Sequence, residues 1–119
     1  FNVHVDKRIR FMGIDTPESR TRDLTEKRYG LGAKYRLIEM LEANGNVFVL
    51  KSHGTGKFGR VLGELFHHHE DDYSINQMLI DEGHAVAYFG GSKQEVKDAL
   101  MEARKLSTEY VEKHIEALD

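Results

Sequence analysis

Four residues in the first half of the chain carry side chains suited to handling a phosphate: Arg10, Asp15, Glu18 and Arg60. Arg10 opens the stretch RFMGIDTPES, and Arg60 closes GKFGR. An arginine presents a planar fork that grips two phosphate oxygens at once, which a lysine ammonium cannot do. Carboxylates beside a backbone carbonyl offer the oxygens that a hard cation such as Ca²⁺ takes. Around one cavity, two arginines and two acids meet the needs of phosphoryl transfer, in which charge builds on equatorial oxygens and a water must attack in line. A plainer reading fits the same spacing, because an Arg and an Asp at a hairpin end commonly form only a surface ion pair. Asp15-Thr16-Pro17 is also good turn chemistry, since Pro fixes its own φ and biases the preceding residue away from helix. Spacing alone leaves both readings open.

The elements that must position these residues are read from periodicity. Phe1, Val3 and Val5 alternate with polar residues, and the alternation resumes through Ile9, Phe11 and Ile14, which predicts a β-hairpin. Residues 19–28 are polar and lack an apolar period, so they read as a surface loop. Leu31, Tyr35, Ile38, Met40 and Leu41 recur at mostly helical spacing, predicting a helix over 31–43 that Asn44-Gly45 stops. NVFVL (46–50) and RVLGELF (60–66) read as a second hairpin around a flexible turn at 53–56. Ser74 is a candidate N-cap for a short helix ended by Gly83, and AVAYF (85–89) is short and apolar. Gly90-Gly91-Ser92 breaks the chain before a last amphipathic helix, with Val96, Leu100, Ala103, Ser107 and Val111 on one face. Leu106, Ser107 and Thr108 are expected to weaken its middle.

A chain of 119 residues suits one domain over 1–119, and its lack of cysteine excludes disulfides and cysteine-ligated zinc. The formal net charge of −3 argues against non-specific coating of nucleic acid while leaving room for a local basic cleft. No segment reads as a membrane span or a leader, so a soluble chain of unassigned compartment is expected. His67, His68 and His69 read as a solvated loop rather than a metal site, because consecutive exposed histidines lack fixed geometry. His84 reads as a partly buried strand residue.

IRFMGIDTPES, then Tyr29-Gly30, then GKFGRVLGELF, then INQMLIDEGHAVAYF occur in that order. On these motifs the chain resembles the staphylococcal-nuclease-like (thermonuclease) family from Ile9 to Tyr88, and the final helix also fits. The resemblance implies an α+β architecture, mainly β: an OB-fold five-stranded Greek-key barrel with three helices. It implies Ca²⁺-dependent hydrolysis of DNA and RNA phosphodiesters. Arg10 and Arg60 then match the family's phosphate-binding arginines, and Glu18 the glutamate that positions or deprotonates the attacking water. Asp15 matches a metal-ligating aspartate, and Thr16 a residue that ligates through its carbonyl. Lys57 and Tyr88 match substrate contacts, and Phe58 stands where a tyrosine is often found. The 19–28 loop corresponds to a mobile loop beside the site.

In the family another metal-ligating aspartate and a first barrel strand lie upstream, whereas this chain begins at Phe1 and Asp6 sits at the wrong end of its strand to replace that ligand. The expectation is a domain without its first strand that binds Ca²⁺ weakly and cleaves poorly. The alternative function is a non-catalytic module of the same fold that binds nucleic acid or protein. A monomer with no membrane partner is expected, the end of the last helix being the surface a dimer would use.

Overall fold

The computed structural model describes residues 2–4, 8–56, 59–88 and 90–118. In chain order the elements are β1 (Asn2–His4), β2 (Arg8–Phe11), β3 (Ile14–Asp15), α1 (Leu24–Glu42), β4 (Val49–Thr55), β5 (Val61–Phe66), α2 (Ile75–Asp81), β6 (Val86–Ala87) and α3 (Lys93–His114). The strands form a four-stranded sheet of order β1-β2-β5-β4 and a two-stranded ladder of β3 with β6. Both predicted hairpins are present as antiparallel pairs, β1 with β2 and β4 with β5.

Three features of the sheet and of the element balance depart from the sequence reading. The hairpins are joined by a parallel pairing of β2 with β5, in register Ile9 to Val61 and Phe11 to Gly63. The sheet is therefore mixed rather than antiparallel, and no closed barrel is found among the described residues. Nor is the chain mainly β: α1 and α3 span 19 and 22 residues, while the longest strand spans 7. The expected turn at 53–56 is largely strand, because β4 runs on to Thr55 through a bulge between Ser52 and Thr55 that absorbs one extra residue against β5.

Helix α1 starts seven residues before the expected position, inside the stretch read as a loop. Asp23 caps it by accepting a hydrogen bond from the Glu26 amide at 3.1 Å. Its buried face is Gly30, Gly32, Ala33, Leu37 and Met40, while Tyr35 and Ile38 are 42% and 41% exposed. Small residues define this face because the helix is pressed close to its neighbours. A β-carbon on Gly32 would stand 2.8 Å from Cγ2 of Val111 on α3. The predicted stop is real: Gly45 and Asn46 take φ of +63° and +61°, turning the chain out of the helix.

Helix α3 is unbroken from Lys93 to His114, and Ser92 and Glu95 close it with a capping box. Ser107, expected to weaken it, is buried where Gly83 comes against the helix; a β-carbon on Gly83 would lie 2.5 Å from the Ala103 carbonyl oxygen and 3.0 Å from the Ser107 amide nitrogen. A small residue is what that approach requires. Under the sheet, Ile9, Phe11, Ile14, Leu37, Leu65 and Leu79 form the centre of the core, each under 3% exposed. Burial of such side chains stabilises by about 1.5–3 kcal/mol each. Among the described residues no helix is long and apolar enough to cross a membrane.

Candidate active site

The site begins with the turn that follows β2. Met12 and Gly13 reverse the chain, Gly13 at a φ of +75° that favours glycine. β3 then pairs with β6, Ile14 opposite Ala87 and Asp15 opposite Val86. The Tyr88 amide donates to the Gly13 carbonyl at 2.8 Å, so this short ladder sets Tyr88 against Gly13, two residues along from Asp15. Asn76 on α2, 3% exposed, holds the turn from below. Its Nδ2 donates to the Met12 and Gly63 carbonyls at 3.0 and 3.2 Å, and its Oδ1 accepts from the Leu65 amide at 3.1 Å.

Beyond Asp15 the chain is fixed by burial as well as by bonding. Asp15 Oδ1 accepts a hydrogen bond from the Thr16 amide at 2.9 Å, and Thr16 and Pro17 are buried. Glu18 emerges exposed. Its backbone lies against α1 at Gly30, where a β-carbon would stand 2.7 Å from the Glu18 carbonyl carbon and oxygen and from the Ser19 nitrogen.

A cavity of about 620 Å³ opens between this turn and α3. Asp15, Thr16, Glu18 and Tyr88 all line it, so the structure brings together four of the residues singled out from sequence. Asp23 and Glu26, from the start of α1, add two more acids to the lining. The opposite wall is α3, with Lys93, Lys97 and Arg104 spaced among Val96, Leu100 and Met101.

The two arginines expected at the site do not line this cavity. Arg10 donates from its two terminal nitrogens to the carbonyls of Phe11 and Ile14, at 3.0 and 3.1 Å, and so braces the turn that carries Asp15. Arg60 is half-buried immediately before β5, its carbonyl accepting from the Gly56 amide at 2.7 Å. It stands two residues ahead of Leu62, which is in register with Arg10. Lys57, Phe58 and Asp6 lie outside the described residues. The 19–28 segment does lie beside the site, though half of it is the first turn and more of α1.

Arg104 was not singled out from sequence. Its Cζ lies 5.0 Å from the centre of the Tyr29 ring, a cation–π contact, and its Nε is buried without a hydrogen-bond partner. Tyr29 is itself held to α3 by a hydrogen bond of 2.9 Å between its hydroxyl and Thr108 Oγ1. The available signal was the spacing of Lys93, Lys97, Leu100 and Arg104, which puts three cations on one helical face. Gly30 and Asn76 lie within the quoted motifs, but their residue types alone do not show the backbone approach of the one or the three hydrogen bonds of the other.

A second polar cluster joins α1, the end of α2 and α3 away from the cavity lining. Arg36 grips Glu82 with two hydrogen bonds, at 2.6 and 3.2 Å, and the Tyr110 hydroxyl donates to Glu39. His84 is 2% exposed, rather than partly buried in a strand, and packs edge-on to the Tyr110 ring at 5.0 Å. Burial pushes the His84 pKa below its ordinary value; burial and the Glu39 hydrogen bond push the Tyr110 pKa up.

A family model described as staphylococcal nuclease homologue matches residues 8–109, which takes in the turn, the cavity and most of α3. The chain belongs to the staphylococcal nuclease homologue family. No curated protein matches it. Membership in the staphylococcal nuclease homologues points to a nuclease or nucleic-acid-binding function, and the family is generally Ca²⁺-dependent. The donors at the turn suit a hard cation in kind, being the Asp15 and Glu18 carboxylates and the Thr16 carbonyl. In number they fall short of the six to eight oxygens, roughly, that Ca²⁺ takes. Among the described residues no three His, Cys, Asp or Glu side chains are grouped to hold a metal ion.

Proposed function

We propose that the chain is a Ca²⁺-dependent nuclease that hydrolyses phosphodiester bonds of DNA or RNA. The observation that supports this reading most is the convergence of Asp15, Thr16, Glu18 and Tyr88 on one cavity. Glu18, exposed at the lip, orients a water and takes its proton as the water oxygen attacks phosphorus. The phosphorus–oxygen bond in line with the attack breaks, and the leaving oxygen is protonated from solvent. Tyr88 packs beside the nucleotide, and Lys57 contacts phosphate. Arg10 and Arg60 are assigned to the phosphate that is attacked, and the position of Arg10 on β2 and of Arg60 just ahead of the neighbouring β5 favours joint action. Asp15 and the Thr16 carbonyl would hold the cation, which supplies positive charge against the phosphate oxygens when bound. The architecture we assign is the family's OB-fold barrel of five strands with helices, over one domain at 1–119, acting as a monomer.

One observation favours a second reading, in which the chain binds nucleic acid without cleaving it. Arg10 already spends its guanidinium on two backbone carbonyls. Cleavage assays on single-stranded and duplex DNA and on RNA, with Ca²⁺ and with chelator, separate the two. Calcium-dependent cleavage that Glu18→Gln lowers in kcat, with substrate affinity retained, supports the nuclease. Binding with no cleavage under any condition establishes the second reading instead.

A further inference from the structure

We infer that the α3 wall of the cavity is a phosphate-binding surface, with Arg104 and Lys97 touching a phosphate of the substrate strand next to the one attacked. This deepens the nuclease reading and rests on it.

Charge is divided across the cavity. The four acids of the lining, Asp15, Glu18, Asp23 and Glu26, come from the turn and the start of α1, and its three cations, Lys93, Lys97 and Arg104, from α3. A polyanion approaching the acidic lip is repelled, so its neighbouring phosphates must be neutralised from the opposite wall if the strand is to lie in the cavity. Arg10 is turned to the Phe11 and Ile14 carbonyls rather than into this space. Arg104 is placed to act there. Its guanidinium is held by the Tyr29 ring, and it makes no salt bridge among the described residues. Its buried Nε has no hydrogen-bond partner, so one donor at the base of this half-buried guanidinium is left unsatisfied. Packing on Tyr29 also fixes the fork in advance, so less freedom is given up when it takes two phosphate oxygens. Lys97, seven residues earlier, projects from the same face of the helix with Leu100 between them, and it is exposed. The apolar patch of Val96, Leu100 and Met101 gives the intervening sugar or base a surface to rest on.

The test is fluorescence-anisotropy titration of short single-stranded DNA and RNA oligonucleotides in a Glu18→Gln background with Ca²⁺, repeated across a range of salt concentrations. Adding Arg104→Ala or Lys97→Ala should weaken binding about tenfold and reduce the salt slope by about 0.7 for each phosphate left without its cation. Arg104→Lys should keep the slope and give up part of the affinity. Lys97 is exposed, so its variant carries the test even if Arg104→Ala fails to fold. Variants that fold, bind as the parent does and keep the parent's salt slope overturn the α3 assignment alone, leaving the nuclease reading in place. A parent chain that neither binds nor, with Glu18 intact, cleaves any oligonucleotide overturns both.

Discussion

Gly30 lies against the backbone of Glu18 so closely that a β-carbon would stand 2.7 Å from the Glu18 carbonyl. The approach joins the middle of α1 to the residue assigned to the water, and it sets how far the Glu18–Ser19 peptide stands off the helix. Two effects of Gly30→Ala oppose each other. Alanine favours helix by up to about 1 kcal/mol over glycine, whereas overpacking costs about 1–3 kcal/mol. Because the neighbour is backbone rather than the end of a flexible side chain, the clash wins. Urea unfolding should show net destabilisation of about 1–2 kcal/mol, and kcat should fall more than KM rises. A stabilised, fully active Gly30→Ala would show that the turn yields freely.

Asn76 should prove the most sensitive polar residue in the interior. It makes three hydrogen bonds from a buried position, tying the turn ahead of Asp15 to β5. Removing them leaves the Met12 and Gly63 carbonyls and the Leu65 amide to find other partners. Asn76→Ala is expected to destabilise by about 3 kcal/mol, read by chemical denaturation. A change under about 1 kcal/mol would mean that water replaces the side chain.

Acid should weaken the fold through His84. Its pKa is held below the unfolded value of 6.5 by burial, against the nearby carboxylates of Glu82 and Glu39 and with Arg36 acting in the same direction as burial. Below pH 6.5 the unfolded chain takes up a proton that the folded chain refuses. Stability is therefore present above about pH 6.5 and falls as pH drops, by up to about 1.4 kcal/mol per pH unit until the folded pKa is reached. His84→Gln should flatten this part of the stability–pH curve. An unchanged curve would assign the acid sensitivity to carboxylates.

Calcium should bind weakly. One carboxylate, that of Asp15, and the Thr16 carbonyl leave most of the coordination shell to water, which places the dissociation constant at about 10⁻⁴–10⁻³ M. Isothermal titration should give that range, with Asp15→Asn weakening it further. Micromolar affinity would reveal ligands beyond those at the turn.

Capping and turn chemistry made much of the frame legible. Ser74 starts α2 as read, α3 begins directly after the Gly90-Gly91-Ser92 break, and Gly45 ends α1. The start of α1 was hidden because its buried face rests on Gly30, Gly32 and Ala33, which leave no hydrophobic period, and because its first turn is charged. The β2–β5 pairing was hidden because a hairpin reading links only strands adjacent in sequence. Asp15, Thr16, Glu18 and Tyr88 were named together from short motifs, and the turn and the β3–β6 ladder bring them to one cavity. Arg104 was not named, because its role comes from a tertiary contact with Tyr29 across two helices.

The cavity takes its acidic side from the first quarter of the chain and its cationic side from the last helix. During synthesis Asp15 and Glu18 leave the ribosome well before Lys97 and Arg104. Until α3 docks on α1, the half-built cavity offers a polyanion only its carboxylates. On the assignment proposed above, a polyanion could therefore be held at the cavity only once α3 has docked.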